Sequence, residues 1–173
     1  KIRMPKRNKH GQYINWSNTA LPWMSIGYET QVPPISTLTF YNAIANGGKM
    51  MRPRFVKKVV KDGTALVEYP PIIQRERIAK ESTITQIRRI LTEVVSEGLG
   101  KKAGSDKFSV AGKTGTAQMS KGVAGYKTGV TDYLLSFAGF FPADAPRYSC
   151  IVCIQKSGLP ASGGGMSGVV FHN

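Results

Sequence analysis

The segment Val110-Ala111-Gly112-Lys113-Thr114-Gly115-Thr116-Ala117-Gln118 concentrates groups that can hold an anionic substrate. Lys113 offers an ammonium, Thr114 and Thr116 offer hydroxyls, and Gly115 carries no side chain. A cation flanked by hydroxyls suits a carboxylate. A strand left bare at a glycine lets a second backbone lie alongside it, so an extended peptide can join it as an added strand. Strict alternation puts Lys113 and Gly115 on one face and Thr114 and Thr116 on the other. Both sets serve one site only where the strand borders a cleft and twists there. Lys-Thr-Gly triplets also arise by chance. Taken alone, this one reads as a solvated strand lysine beside a packing glycine.

Other reactive residues give less. Cys150 and Cys153 have C-x-x-C spacing, which invites a zinc or redox reading. They fall in the strand-like run Tyr148 to Ile154, where residues three apart point to opposite faces. No second C-x-x-C or histidine pair completes a metal shell. Two buried thiols acting as small hydrophobes, without a disulfide between them, are expected. His10 and His172 lie at opposite ends of the chain, and there is no Gly-x-Ser-x-Gly elbow or phosphate loop.

Elements of both kinds must position the Lys-Thr-Gly segment. Residues 1–22 read as an irregular polar lead-in. Ile35, Leu38, Tyr41, Ile44 and Ala45 recur at helical spacing, and Asn46-Gly47-Gly48 stops the helix. Residues 54–60 and 64–69 flank Asp62-Gly63 and predict a hairpin. A second helix starts at Glu81 or Ser82, carries an apolar stripe of Ile84, Ile87, Leu91, Val94 and Val95, and ends at Gly98 and Gly100. A flexible basic stretch, residues 101–107, follows. Strands are expected at 109–118, 134–141 and 148–155. A Gly- and Lys-rich loop (119–132) separates the first two, and a short turn (142–147) makes the last two an antiparallel hairpin. The fold class is α+β, with helices packed on an antiparallel sheet.

The chain has 173 residues, 41% of them apolar, which suits one globular unit or a large piece of one. No apolar run approaches the roughly 20 residues that span a bilayer, and no signal peptide is visible. The net charge is +14. Lys1, Arg3, Lys6, Arg7 and Lys9 cluster at the start, yet no nucleic-acid module motif accompanies them, so a solvated basic segment is expected. A positive field of this size also helps to attract an anionic glycan or lipid-linked substrate.

Several segments together carry a family resemblance. Val110 to Gln118, Met24-Ser25-Ile26-Gly27-Tyr28-Glu29, Ala43-Ile44-Ala45-Asn46-Gly47-Gly48 with Arg52-Pro53, Ser136-Phe137-Ala138-Gly139-Phe140-Phe141-Pro142, and the Gly-rich end before Val170-Phe171 resemble the class B penicillin-binding proteins. The similarity runs from about Leu21 onward. The resemblance implies the C-terminal part of one transpeptidase domain, residues 1–173, with a partial β-lactamase-like fold. It implies a D,D-transpeptidase that cross-links peptidoglycan stem peptides through an acyl-serine intermediate and binds β-lactams. Lys113 would stand beside a serine of the family's second motif and assist carboxylate binding. Thr114, Gly115 and Thr116 would bind substrate, and the Thr116 backbone N–H would be half of the oxyanion hole. Partners implied are stem peptides or a lipid-linked precursor, β-lactam antibiotics, and cell-wall synthesis or division proteins, the division role being slightly favoured. No cofactor or metal is implied. The parent would be anchored in the cytoplasmic membrane with its catalytic domain periplasmic or extracellular.

The family's other two motifs are missing here. No serine has Lys three residues on, and none has Asn two residues on. Tyr13-Ile14-Asn15 mimics a variant of the second motif but lies in the polar lead-in. Lys1 is therefore expected to fall downstream of both motifs in the parent, with no nucleophile in this chain. A sheet so truncated is expected to expose an apolar face or an unpaired edge and to dimerise through it. The alternatives weighed are a β-lactam-binding sensor or serine β-lactamase relative and, from another class, a basic nucleic-acid-binding domain.

Overall fold

Glycine and proline punctuation accounts for most element boundaries. The computed structural model describes residues 5–17, 19–28, 30–119 and 130–173. These divide into two units, Lys1–Pro33 and Pro34–Asn173. In the first unit, Arg7 bridges Tyr13 in antiparallel fashion. The Arg7 guanidinium lies 4.5 Å from the Tyr13 ring centroid and donates to its hydroxyl at 2.8 Å. Helix α1, Ala20–Ser25, begins inside the stretch expected to be irregular. Trp23 meets Tyr28 edge-on at 4.9 Å and steadies the turn that ends it.

The second unit opens with α2, Pro34–Ala45, whose first residue is a proline needing no helical N–H donor. Gly47 and Gly48, at φ of +66° and +95°, end it. Strand β1 is Met50–Met51, β2 Lys58–Lys61, β3 Thr64–Glu68 and β4 Ile73–Arg75. β2 and β3 form the hairpin expected around Asp62-Gly63, where both residues have positive φ, as a two-residue type I′ turn requires. β1 pairs with β4 across that hairpin, a contact the sequence reading missed because both strands are too short for a periodic signal.

Helix α3, Glu81–Ser96, buries Ile84, Leu91 and Val95 along one stripe and places Glu81 in its first turn, where the helix dipole favours an anion. The stretch expected to be flexible contains a 3-10 turn, Lys101–Ala103, with Ala103 1% exposed. One small apolar residue among lysines suffices to dock it.

Strands β5 (Ala111–Met119), β6 (Asp132–Phe141) and β7 (Tyr148–Ser157) form an antiparallel sheet in the order β5-β6-β7. The expected strands are there, with ends shifted by up to two residues. Residues 120–129 of the Gly- and Lys-rich loop lie outside the described residues. A π-helical turn, Gly163–Ser167, runs into α4, Gly168–His172.

Helices pack on both faces of the sheet. Ala111 and Phe140 pack on Ile44 of α2 and Leu91 of α3. Phe137 packs on Val95, Ala103 and Val110, with Phe171 of α4 against it. Phe137 and Phe140 are three residues apart on one strand and so serve opposite faces. Among the described residues the sheet has an open edge at β5 and at β7, and Leu134 of β6 and Tyr148 of β7 stay 43% and 63% exposed. An open edge was one of the two exposures expected.

Arg88 locks α3 to the turn after β6. Its guanidinium donates to the Ala143 carbonyl at 2.9 Å and the Asp144 carbonyl at 3.1 Å. Ser109 donates to Asp144 Oδ1 at 2.7 Å, which holds that exposed carboxyl below its usual range. Replacing Arg88 with alanine leaves two carbonyls without their charged donor. The expected loss is about 1.5–2.5 kcal/mol of stability, read as a fall in the urea midpoint at unchanged slope.

Candidate functional site

The sequence Lys113-Thr114-Gly115-Thr116 sits in the middle of β5, the edge strand. Its register pairs Lys113 with Ala138, Thr114 with Phe137, Gly115 with Ser136 and Thr116 with Leu135. The side chains of Thr114 and Thr116 therefore share a face with the fully buried Phe137 and Leu135. Lys113 and Gly115 share the other face with Ala138 and Ser136. Strand alternation alone would separate the lysine from the threonines.

The open edge brings them back together. Lys113 Nζ curls around it to donate to the Thr114 carbonyl at 3.0 Å, with the Thr114 hydroxyl at 3.4 Å. A carbonyl reached from outside the sheet points away from β6. In an antiparallel strand a residue's N–H and C=O point to the same side, and the side repeats every second residue. The Thr116 N–H therefore also faces the open edge. So ammonium, threonine hydroxyls and one outward N–H border the same strip of solvent. Lys113 is exposed and has no acidic partner among the described residues.

Two residues that the sequence reading left out of the site shape it. The first is Gly163, in the π-helical turn. Its N–H donates to Thr116 Oγ1 at 3.0 Å across 47 residues of sequence. The acceptor side of that hydroxyl is thereby engaged, and its proton stays available to donate outward. A Cβ at Gly163 would lie 2.3 Å from the Gly115 carbonyl oxygen and 2.8 Å from that of Ser136, so only glycine lets the turn lie this close. The second is Ser136. A Cβ on Gly115 would come within 2.4 Å of Ser136 Oγ. The space a side chain at Gly115 would need on that face is thus taken by a neighbouring strand's hydroxyl. The Gly-rich run 163–165 was a visible signal for the first. For the second there was none, since cross-strand register is a tertiary fact.

The cysteines are less buried than expected, because both lie on β7, an outer strand of the sheet: Cys150 is half-buried and Cys153 exposed. Cys150 and Cys153 are free, and partial burial raises both thiol pKa values. Among the described residues no group of three or more His, Cys, Asp or Glu could hold a metal ion.

Comparison with known proteins agrees with this architecture. The family model for the penicillin binding protein transpeptidase domain matches residues 3–173. The chain belongs to that family. Penicillin-binding protein PbpB of Mycolicibacterium smegmatis is 30% identical over 168 residues, covering 91% of this chain and 25% of the relative. Among solved structures, the transpeptidase domain of FtsI4 D,D-transpeptidase from Legionella pneumophila superposes with a TM-score of 0.64 at 26% identity, covering 97% of this chain and 54% of that one. Penicillin-binding protein A of M. tuberculosis in an imipenem acyl-enzyme complex gives 0.63 at 25% identity over 80% of this chain and 30% of that one. The chain spans about a quarter of the length of the curated relatives it matches. Its mixed helices and antiparallel strands are those of a partial penicillin-binding-protein fold.

Proposed function

We propose that these residues form the substrate-docking wall of a peptidoglycan D,D-transpeptidase. The observation that carries this reading is the open edge of β5, where Lys113 Nζ, the Thr114 and Thr116 hydroxyls and the Thr116 N–H border one strip. An extended stem peptide, or a β-lactam imitating it, pairs with that edge as an added strand. Lys113 with the two hydroxyls holds its terminal carboxylate. A serine supplied from outside these residues attacks the carbonyl carbon of the penultimate D-alanine. The tetrahedral oxyanion forms against the Thr116 N–H and the serine's own N–H. Collapse expels D-alanine and leaves an acyl-serine, and the amine of a second stem peptide then takes the acyl group.

Lys113 would also raise the positive potential at that serine. Gly115 contributes its backbone and its tolerance of Ser136. The reading places the working domain outside the cytoplasmic membrane, where peptidoglycan is built. Its parent would be membrane-anchored and would act with cell-wall synthesis or division proteins. Among the described residues no helix is long and apolar enough to cross a membrane, so the anchor would lie elsewhere.

Fluorescent penicillin tests this. The 173 residues contain no Ser-x-x-Lys and are expected to give no labelled band on a denaturing gel. The full-length protein is expected to label, and Lys113→Ala to slow its labelling about 100-fold at an unchanged melting midpoint. A labelled band from the 173 residues alone would show that the nucleophile had been misplaced. Undiminished labelling of the Lys113 variant would remove the docking role.

A further inference from the structure

Between α2 and α3 the sequence from Lys49 to Lys80 holds nine basic and three acidic residues. One of those acids, Glu76, already faces Lys49 at 3.8 Å. The same segment leaves large apolar side chains in solvent. Phe55 is 87% exposed, Leu66 60% and Ile72 51%. The β2–β3 ribbon is exposed along its whole length. Two strands alone are marginal in water, and clustered apolar exposure on this scale marks a contact surface.

The segment is also concave. A cleft of about 690 Å³ is lined by Arg52, Pro53 and Ile72. One of about 420 Å³ shares these three and adds Arg54 and Tyr69. A third, of about 390 Å³, shares Arg54, Tyr69 and Pro70 with the second. Shared walls make the three a continuous groove leading onto the ribbon. The Arg52 guanidinium has no carboxylate or hydrogen-bond partner among the described residues. Tyrosine and arginine in a groove of this kind are the residue types that anchor protein partners.

We propose that this groove and ribbon dock an acidic, partly apolar, extended segment of a partner protein. Its carboxylates would meet Arg52, Lys57 and Lys58, and its apolar side chains would cover Phe55. The excess of cations selects an acidic partner, and the same excess disfavours a second copy of this chain, which would bring basic side chains against basic ones. A bilayer surface cannot enter concave clefts or cover both sides of a ribbon. The two open edges of the β2–β3 pair give an extended segment backbone groups to bond. This surface stands apart from the β5 edge, and the inference does not depend on the transpeptidase reading.

The test uses the full-length protein and a short fluorescein-labelled peptide alternating glutamate with valine. Anisotropy is expected to show saturable binding that weakens as salt rises. Lys57→Glu with Lys58→Glu is expected to lower affinity about tenfold and to flatten the salt dependence. Phe55→Ala is expected to cost about tenfold at every salt concentration. These positions are exposed, so melting midpoints should not move, and a control peptide with lysine in place of glutamate should not bind. The proposal is overturned if the acidic peptide shows no saturable binding, or if both variants bind it as well as the parent. It is equally overturned if phosphatidylglycerol vesicles or a single-stranded oligonucleotide bind through Phe55, Lys57 and Lys58 while the peptide does not.

Discussion

Gly163→Ala is expected to lower stability by about 3 kcal/mol and to slow penicillin acylation of the full-length protein more than that loss explains. The added Cβ would sit 2.3 Å from one carbonyl oxygen and 2.8 Å from another, on Gly115 and Ser136. Both are backbone atoms inside a sheet, so neither swings aside as a flexible side chain would. The turn must lift off β5, and the Gly163 N–H then leaves Thr116 Oγ1. Thr116 regains rotameric freedom at the place proposed to hold the substrate carboxylate. Gly165→Ala is the control. Its Cβ would meet only the Ser162 side chain, at 3.0 Å or more, so its cost should be below about 1 kcal/mol. Urea midpoints of the two variants measure the stability difference. Acylation rates measured well below both midpoints separate a positioning effect from unfolding. Equal midpoints for the two variants would show that the turn does not bear on the sheet as described.

Phe137→Ala is expected to cost about 3–5 kcal/mol. Phe137 is fully buried and meets the Phe171 ring at 4.7 Å. It also packs on Val95, Val110 and Ala103, which come from α3, from the residue just before β5 and from the 3-10 turn. Removing the ring therefore opens a cavity where three segments and α4 converge. Its atoms also fill the space a side chain at Gly112 would need, with Phe137 Cζ 2.6 Å from that missing Cβ. Gly112 and Phe137 are thus a matched pair across neighbouring positions of β5 and β6. The gap left by alanine has no neighbour able to collapse into it from the glycine side. Thermal denaturation of Phe137→Ala beside Phe137→Leu measures this. The leucine variant should recover more than half of the loss, because it restores most of the volume.

Both substitutions bear on how far a sequence can be read. Hydrophobic period and turn chemistry are local, so they were legible in α3, in the Asp62-Gly63 hairpin and in the three strands of the main sheet. The start of α1 at Ala20 and the 3-10 turn at Lys101–Ala103 were hidden, being too short to show a period. β1 and β4 failed for the same reason.

At the site, the types and order of Lys113, Thr114, Gly115 and Thr116 stand in the sequence, and with them a cation flanked by hydroxyls that suits a carboxylate. Alternation then left an apparent conflict, a lysine on one face and threonines on the other. The fold resolves it by placing β5 at an edge, so that a flexible lysine can reach around to Thr114 O. It also sets Ser136 into the room at Gly115 and hangs Gly163 on Thr116. None of these could be read from neighbouring residues. Each joins positions far apart in the chain, and only the strand register and the packing of the turn bring them within a few ångströms. Residue chemistry is a property of each position by itself. Which side of a strand is open, and what fills the space beside a glycine, belongs to the assembled sheet.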